Sequence, residues 1–353
     1  MYKVWILTGC LLIGAGQAQA EGLLDWLSSG TTSGKTAQPA DAAQLLTLEP
    51  GENEMYPQVS PDGKRLLVVA INARAKQSWI SNRATENGDP LNAVTDDVLA
   101  PDSVHWHGSD SVSFLSQRAG SLGLWTRSAD GKGLVRRVVE LGRGLTQATL
   151  LPESGMIAMR VIPGRTSNAG KTAASDGFDN WSFSGARTEI VRIDANGSEH
   201  VLAAGVNPAL SPDGQWIAFS MPTGRSMHLF MMRTDGSSLM QLTDARCIDV
   251  QPAWSPDGKW IVFASNRADA DMRHTSRGNW DIWAIDRQGR NLTRMTYDAA
   301  RDSAPSVAAG GIVYFHSDRA VGQAQATARG VKGQSRGFHI WRVALSVPGA
   351  VAH

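Results

Sequence analysis

Pro57-Gln58-Val59-Ser60-Pro61-Asp62-Gly63-Lys64 occurs three times in closely similar form along this chain. The other copies are Pro-Ala-Leu-Ser-Pro-Asp-Gly-Gln from Pro208 and Pro-Ala-Trp-Ser-Pro-Asp-Gly-Lys from Pro252. In each copy the second proline fixes φ, aspartate suits the next turn position, and glycine adopts the left-handed conformation that a three-residue hairpin loop requires. Apolar, β-prone residues follow every copy, so the stretch predicts a tight β-hairpin between two strands.

A second pattern follows the hairpins and completes a repeat. An aromatic-rich segment, a second turn and a short strand occur in order, most clearly over residues 280–285, 287–290 and 292–296. Degenerate copies of the unit begin near Val104, Ala148 and Ile312. The pattern therefore predicts six units of four strands, each of about 50 residues, close to the period of propeller repeats.

The predicted fold class is all-β, a six-bladed β-propeller of four-stranded blades. The sixth unit has no closing strand of its own, whereas residues 44–48 resemble the strand that closes the other units. We therefore expect this N-terminal strand to complete the last blade, which leaves no open edge at the seam. A linear β-solenoid is the alternative, and it would not need the borrowed strand.

The ends of the chain predict export and a simple domain order. Residues 1–20 resemble a cleaved signal peptide, with Lys3, an apolar run and small residues before Glu21. Residues 21–43 are expected to form a linker or short helix, residues 44–343 the propeller and residues 344–353 a tail. Leu7-Thr8-Gly9-Cys10 resembles a bacterial lipobox, so lipidation at Cys10 is the alternative to a periplasmic protein without a lipid anchor.

Composition supports a large core and gives no general attraction to polyanions. Hydrophobic residues make up 42% of the chain, and 34 basic residues balance 33 acidic ones. No global field therefore draws the molecule to nucleic acid, and we expect none as a partner. Cys247 would be the only thiol left after signal-peptide cleavage, and it is expected to be buried.

The hairpins and the segment Ala264-Ser265-Asn266-Arg267 resemble the propeller repeat of the TolB family. The same segment occurs as Leu115-Ser116-Gln117-Arg118 and His316-Ser317-Asp318-Arg319. The resemblance covers nearly all of the chain after about residue 43. It implies a six-bladed periplasmic propeller that binds other proteins, here expected to lack the α/β domain that precedes the propeller in TolB.

Similar repeats also accompany enzymes. They precede the hydrolase domain of prolyl-oligopeptidase-like enzymes and build some oligogalacturonate lyases, but the chain has no Gly-x-Ser-x-Gly nucleophile elbow. The prediction is a non-enzymatic scaffold that binds another envelope protein. The alternative is a carbohydrate-active propeller that binds or cleaves acidic polysaccharide such as oligogalacturonate.

Acidic residues lie where one predicted blade leads to the next, and four are candidates at the channel mouth: Glu54, Asp102, Asp249 and Asp302. Carboxylates in such a ring could coordinate Ca²⁺. A solvated rim or hydrogen bonding at strand ends is the preferred interpretation, so no cofactor is expected. The pairs His105 with His107 and His316 with His339 are likewise expected to be structural.

Three long insertions, residues 162–187, 268–279 and 320–337, fall on the face opposite the Ser-Pro-Asp-Gly turns. Long loops on a rigid scaffold often have a binding role. The predicted partner-binding residues are aromatic anchors and basic side chains: Phe178, Trp181, Phe183, Arg273, Arg277, Arg329, Lys332 and Arg336. The alternative is that the aromatic residues pack on the propeller and the basic residues are only solvated.

Overall fold

The computed structural model describes residues 42–72, 77–97, 100–164, 178–183, 185–275, 278–331 and 337–348. Several sequence predictions lie outside these residues: the signal peptide, most of the linker, Cys10, Arg277, Lys332, Arg336 and the end of the tail. None of the described helices has the length and apolar character needed to cross a membrane.

The regular secondary structure of the described residues is almost entirely β-strand. The strands are β1 (Gln44–Leu45), β2 (Asn53–Val59), β3 (Arg65–Asn72), β4 (Gln77–Ala84), β5 (Pro90–Thr95), β6 (His105–His107), β7 (Ser111–Ser116), β8 (Gly123–Ser128), β9 (Arg136–Glu140), β10 (Leu145–Leu150), β11 (Met156–Pro163), β12 (Ala186–Ile193), β13 (Glu199–Ala204), β14 (Val206–Leu210), β15 (Trp216–Thr223), β16 (Ser226–Arg233), β17 (Met240–Gln241), β18 (Asp249–Trp254), β19 (Trp260–Ser265), β20 (Asp281–Asp286), β21 (Thr293–Arg294), β22 (Asp302–Val307), β23 (Ile312–Ser317) and β24 (His339–Ala344). A 3₁₀ turn at Pro101–Ser103 and the helix α1 (Gln323–Ala328) complete the described elements.

These strands form six antiparallel sheets of four strands, which confirms the predicted six-bladed propeller. Blades one to five are β2–β5, β6–β9, β10–β13, β14–β17 and β18–β21, each in chain order. The first strand of each blade contacts the first strand of its neighbour, as β14 does with β18 and β18 with β22. These first strands therefore surround the central channel.

The sixth blade is closed by the N-terminal strand, as predicted. Its order is β22, β23, β24, β1, and β1 runs antiparallel to β24 with Gln44 opposite Arg342. The Leu46 N–H continues the contact by donating to the Ile340 carbonyl at 2.8 Å. The two ends of the propeller are thus joined by main-chain hydrogen bonds within one sheet, which leaves no unpaired edge at the seam.

The repeated hairpin has the predicted conformation. Gly63 lies at φ +73°, in the left-handed region, and the Ser60 hydroxyl accepts from the Arg65 N–H at 2.9 Å while it donates to Asp62. The copies at Ser211 and Ser255 make the same set of bonds. Serine and aspartate therefore fix the turn that leads from the first to the second strand.

Candidate functional site

Five of the six inner strands have a β-bulge at the same height in the channel. The bulged residues are Tyr56, Gln147, Asn207, Gln251 and Ala304, with φ between 48° and 54°. Pairing with the second strand of the blade shifts register at each of these positions. A bulge of this kind takes one residue out of the ladder, so its N–H group must find another partner.

At four of the five bulges that partner comes from the neighbouring blade. A polar side chain of that blade accepts the hydrogen bond from the N–H of the bulged residue. The bonds run from Gln147 N–H to Ser103 Oγ at 2.8 Å, from Asn207 N–H to Gln147 Oε1 at 3.0 Å, from Ala304 N–H to Gln251 Oε1 at 2.9 Å and from Tyr56 N–H to His316 Nδ1 at 3.2 Å. The inner strands are therefore joined by polar side chains around the channel, in addition to the packing between blades.

One residue of the third-blade insertion spans this channel. Asn180 donates from Nδ2 to Asp102 of the second blade at 2.9 Å, and its Oδ1 accepts from Gln251 of the fifth blade at 2.7 Å. The second and fifth blades lie opposite each other in a ring of six. Residues 178–183, which we call the bridge segment, thus cross the mouth of the channel on the face that carries the long loops.

Aromatic contacts fix the bridge segment in place. Phe178 packs edge-on against Trp280 at 5.3 Å and stacks on Phe338 at 6.1 Å, and Trp181 lies 5.3 Å from Trp280. Phe178 is 0% exposed and Trp181 5% exposed, while Phe183 is half-buried against the same cluster. Phe178 and Trp181 therefore follow the alternative given for the aromatic residues, because both rings pack on the propeller at the channel mouth between blades.

The channel beyond the bridge segment is a cavity of about 750 Å³ that reaches the Ser-Pro-Asp-Gly turns. Its inner end is lined by the polar side chains Asp102, Gln147, Asn180 and Gln251. Prolines of the inner strands and turns form much of its wall, together with Trp106 and Trp254. No binding role was predicted for the face that carries the Ser-Pro-Asp-Gly turns, because these repeated turns have an obvious structural purpose.

Three of the four candidate metal-binding carboxylates are paired with an arginine. Glu54 lies 3.1 Å from Arg83, Asp249 2.6 Å from Arg267, and Asp302 accepts from Arg319 Nε at 3.0 Å. These acids are fully buried, and their oxygens are engaged by guanidinium groups. The arrangement matches the expected bonding at strand ends. Asp102 differs, because its described donors are the neutral amides of Gln147 and Asn180.

A different cluster brings together three atoms of the kinds that bind metals. His228, Cys247 and Asp249 each offer one such atom, all within 4.8 Å of one another. Nitrogen, thiolate and carboxylate are the donors that Zn²⁺ takes in proteins. However, Arg267 also lies 3.8 Å from the Cys247 sulfur, and burial, helped by Asp249, raises the pKa of the Cys247 thiol to about 12. The thiol is therefore protonated and buried, as predicted for Cys247.

The histidines of the propeller have structural roles. His316 is fully buried, accepts from the Tyr56 N–H through Nδ1, and packs its ring against Tyr56 and Phe338. Burial, with a contribution from Arg301, lowers the pKa of His316 to about 3. His339 lies 3.2 Å from Glu54. His105 and His107 lie on the short inner strand β6 and line the cavity, and burial lowers the pKa of His105 to about 4.

The predicted basic residues do not form one group. Arg273 is exposed in the loop between β19 and β20. Arg329 instead follows α1 and donates to the carbonyls of Asn87 and Leu45 at 3.4 and 3.5 Å, at the seam between the first and sixth blades. Further exposed arginines lie on the Arg273 face, with Arg143, Arg225 and Arg246 in loops and Arg187 at the start of β12.

Comparison with known proteins supports the propeller assignment. Residues 181–272 match the family model described as the TolB beta propeller domain. The comparison with curated proteins gives no match.

Solved structures share the fold at low identity. TolB from Acinetobacter baumannii is 14% identical over 81% of this chain with a TM-score of 0.54, and this chain spans 64% of that TolB chain. Regucalcin from Agrobacterium tumefaciens, a calcium-binding protein, is 14% identical over 88% of this chain and 96% of its own, with a TM-score of 0.54. An oligogalacturonate lyase in complex with manganese is 11% identical over 89% of this chain and 95% of its own, with a TM-score of 0.50.

These three likenesses concern the fold, whereas the family model matches the repeat itself. Together with the six observed blades, they show that this chain is a TolB-like six-bladed β-propeller.

Proposed function

We propose that this protein is an exported, non-catalytic scaffold of the bacterial envelope that binds another protein through the face carrying the long loops. The signal-peptide pattern of residues 1–20 supports export, and the TolB-like repeat supports a binding role. The observation on which the proposal depends is the bridge segment, because it crosses the channel mouth and joins opposite blades.

The bridge segment makes that surface rigid. Phe178 and Trp181 are packed against blades five and six, and Asn180 is bonded to blades two and five. A loop fixed to several blades loses little further entropy on binding, which favours the recognition of a preformed partner surface. Since the mouth is crossed, a partner would dock across the face instead of entering the channel from it.

The charges of the loop face favour a protein over a polyanion. Exposed arginines such as Arg225 and Arg246 share the face with the exposed acids Asp244, Asp269 and Asp271. A protein surface can complement both signs, whereas a uniformly acidic polysaccharide would be repelled by the carboxylates. We therefore prefer a protein partner to the oligogalacturonate alternative, which predicts depolymerisation of uronate polymers that a chelator abolishes.

Charge reversal on each face tests the proposal. The double variant Arg225→Glu and Arg246→Glu alters two exposed loop-face residues, and Lys132→Glu alters an exposed residue of a turn on the opposite face. We expect envelope proteins crosslinked to the wild type to be lost from the double variant and retained by Lys132→Glu. Equal capture by all three proteins would contradict the proposed surface, provided that their melting temperatures agree.

A further inference from the structure

We call the face that carries the Ser-Pro-Asp-Gly turns the turn face. The cavity on this face has the charge and wall chemistry of a binding site for an aliphatic cation. Asp102 lies at its inner end, and among the described lining residues it is the only carboxylate, while none is lysine or arginine. His105 does not compensate the charge near neutral pH, since burial lowers its pKa to about 4. His107 lines the outer part of the cavity and is exposed.

Asp102 differs from the candidate acids on the inner strands, because it lies in the 3₁₀ turn before β6. Asp249 and Asp302 are the first residues of β18 and β22, and each is bonded to the arginine of its own blade, Arg267 or Arg319. In the second blade that arginine, Arg118, is bonded to Asp97 instead, at 2.9 Å. Asp102 is left with two neutral donors, Gln147 and Asn180, both of which reach its Oδ2. The site therefore has a carboxylate whose described hydrogen-bond donors are uncharged.

A second unsatisfied acceptor lines the same cavity. Asn207 is 8% exposed, and its Oδ1 has no hydrogen-bond partner among the described residues. A buried amide oxygen without a donor costs about 1–3 kcal/mol. Asn207 lies next to the inner end of the cavity, since its N–H donates to the Oε1 of Gln147, whose Nε2 is bonded to Asp102.

The wall indicates what kind of cation fits. Between the inner end and the turns the cavity is lined by prolines and aliphatic residues, including Pro208, Pro252, Pro305, Leu150, Leu210 and Val307. Ca²⁺ takes six to eight oxygen ligands and gains nothing from such a wall. An alkyl stem with a terminal ammonium matches both parts, since the stem covers apolar surface and the compact head donates to single acceptors.

We propose that the turn-face cavity binds a lysine side chain presented by an extended peptide segment of a partner. The volume of about 750 Å³ lies within the range of ligand sites and exceeds what one lysine fills, which leaves room for flanking main chain. An arginine side chain fits less well, because its guanidinium group would bind both oxygens of Asp102, and Oδ2 already accepts from both amides. Burial raises the pKa of Asp102, so affinity for an ammonium increases with pH across the range in which this carboxyl loses its proton.

The test is a titration of the whole protein with three probes: acetyl-Ala-Lys-Ala-amide, the same peptide with norleucine in place of lysine, and cadaverine. Norleucine keeps the stem and removes the charge. We expect the lysine peptide to bind the wild type about tenfold more tightly than either other probe, and its affinity to rise with pH.

Variants locate the effect. Asp102→Asn should reduce the affinity for the lysine peptide to that for the norleucine peptide. Ala309→Lys adds an ammonium at the exposed rim of the cavity and should also weaken binding of the lysine peptide. Asp235→Asn removes the same charge from an exposed turn on the same face outside the cavity, and should bind as the wild type does. Melting temperatures identify any variant that misfolds, and Ala309→Lys tests the site without altering a buried group.

Several results would overturn the proposal. These are equal binding of the lysine and norleucine peptides, a lysine preference that survives both Asp102→Asn and Ala309→Lys, binding of cadaverine as tight as that of the peptide, and no saturation at millimolar peptide. Each leaves the loop-face proposal untouched, because that surface is tested by Arg225 and Arg246 on the opposite side of the ring.

Discussion

Single arginines hold the inner strands in register with the strands behind them. Arg267 donates to Asp249 through Nε and Nη2, while Ser265 of the same segment donates to the same carboxylate at 2.5 Å. The Ser-Asn-Arg pattern could be recognised in the sequence. Its exact acceptor could not be, because Asp249 lies on another strand and the pairing depends on the register.

Arg267→Met tests the strength of this bond. The change leaves the Asp249 carboxylate buried without its cation, and we expect a loss of about 3–5 kcal/mol in the free energy of unfolding, measured in urea. The double variant Asp249→Asn and Arg267→Met removes both charges and should recover part of that loss. A single variant within about 1 kcal/mol of the wild type would contradict the assignment.

His316 predicts a specific loss of stability in acid. Its pKa is about 3 in the folded chain against an ordinary 6.5, so between these values the unfolded state binds a proton that the folded state does not. Stability therefore falls as the pH drops from 6.5 to 3, by up to about 1.4 kcal/mol per pH unit from this group, and is unaffected above 6.5.

The check is the dependence of unfolding free energy on pH. His316→Gln should fall less steeply than the wild type below pH 6.5, because the titrating group is gone. His200→Gln, at an exposed histidine, serves as the matched control and should keep the wild-type slope. Identical slopes for His316→Gln and the wild type would show that the imidazole is not held neutral.

At the scale of elements, the closing strand was predictable and the bridge segment was not. The sixth repeat lacks the closing strand that every other repeat has, and residues 44–48 resemble that strand, so they could be predicted to replace it. The Asn180 contacts have no such signal, since Asp102 and Gln251 lie 78 and 71 positions away in sequence. Only the closed ring brings these blades to opposite sides of one channel.

Removing part of the closing contact should destabilise the whole ring. Leu46 is buried beside β24, so Leu46→Ala should cost about 2–5 kcal/mol in unfolding free energy. Leu134, which is 81% exposed, provides the same substitution away from the seam and should change stability by less than about 0.5 kcal/mol. Equal effects of the two variants would mean that the N-terminal strand does not close the propeller.

The bridge segment should loosen when its anchor is removed. Phe178→Ala takes a fully buried phenyl ring out of its contact with Trp280 and Phe338, which should cost about 3–5 kcal/mol in the free energy of unfolding the bridge segment. Hydrogen exchange should then quicken in the bridge segment before the blades. Unchanged exchange at residues 178–183 would contradict the packing described for Phe178.

At the scale of the whole molecule, the repeats determine the architecture and the insertions distinguish the two faces. The hairpin copies, the degenerate repeats and the N-terminal closing strand together predicted a ring, because six four-stranded units need one further strand to close the last blade. The strand order of a blade shows which loops lie on which face of the ring. It does not show which side chains of those loops are exposed. The aromatic residues of the third-blade insertion would suit an interface or a core equally well, and the structure shows that Phe178 and Trp181 pack inside.

The most direct test of the proposed function is photo-crosslinking in living cells. A photoreactive amino acid would replace Arg225 or Arg273 on the loop face, or Lys132 on the turn face, all of which are exposed. The proposed function predicts that one envelope protein is crosslinked from both loop-face positions and not from Lys132. Crosslinking of that protein from Lys132 alone, or of no protein from either loop-face position, would contradict it.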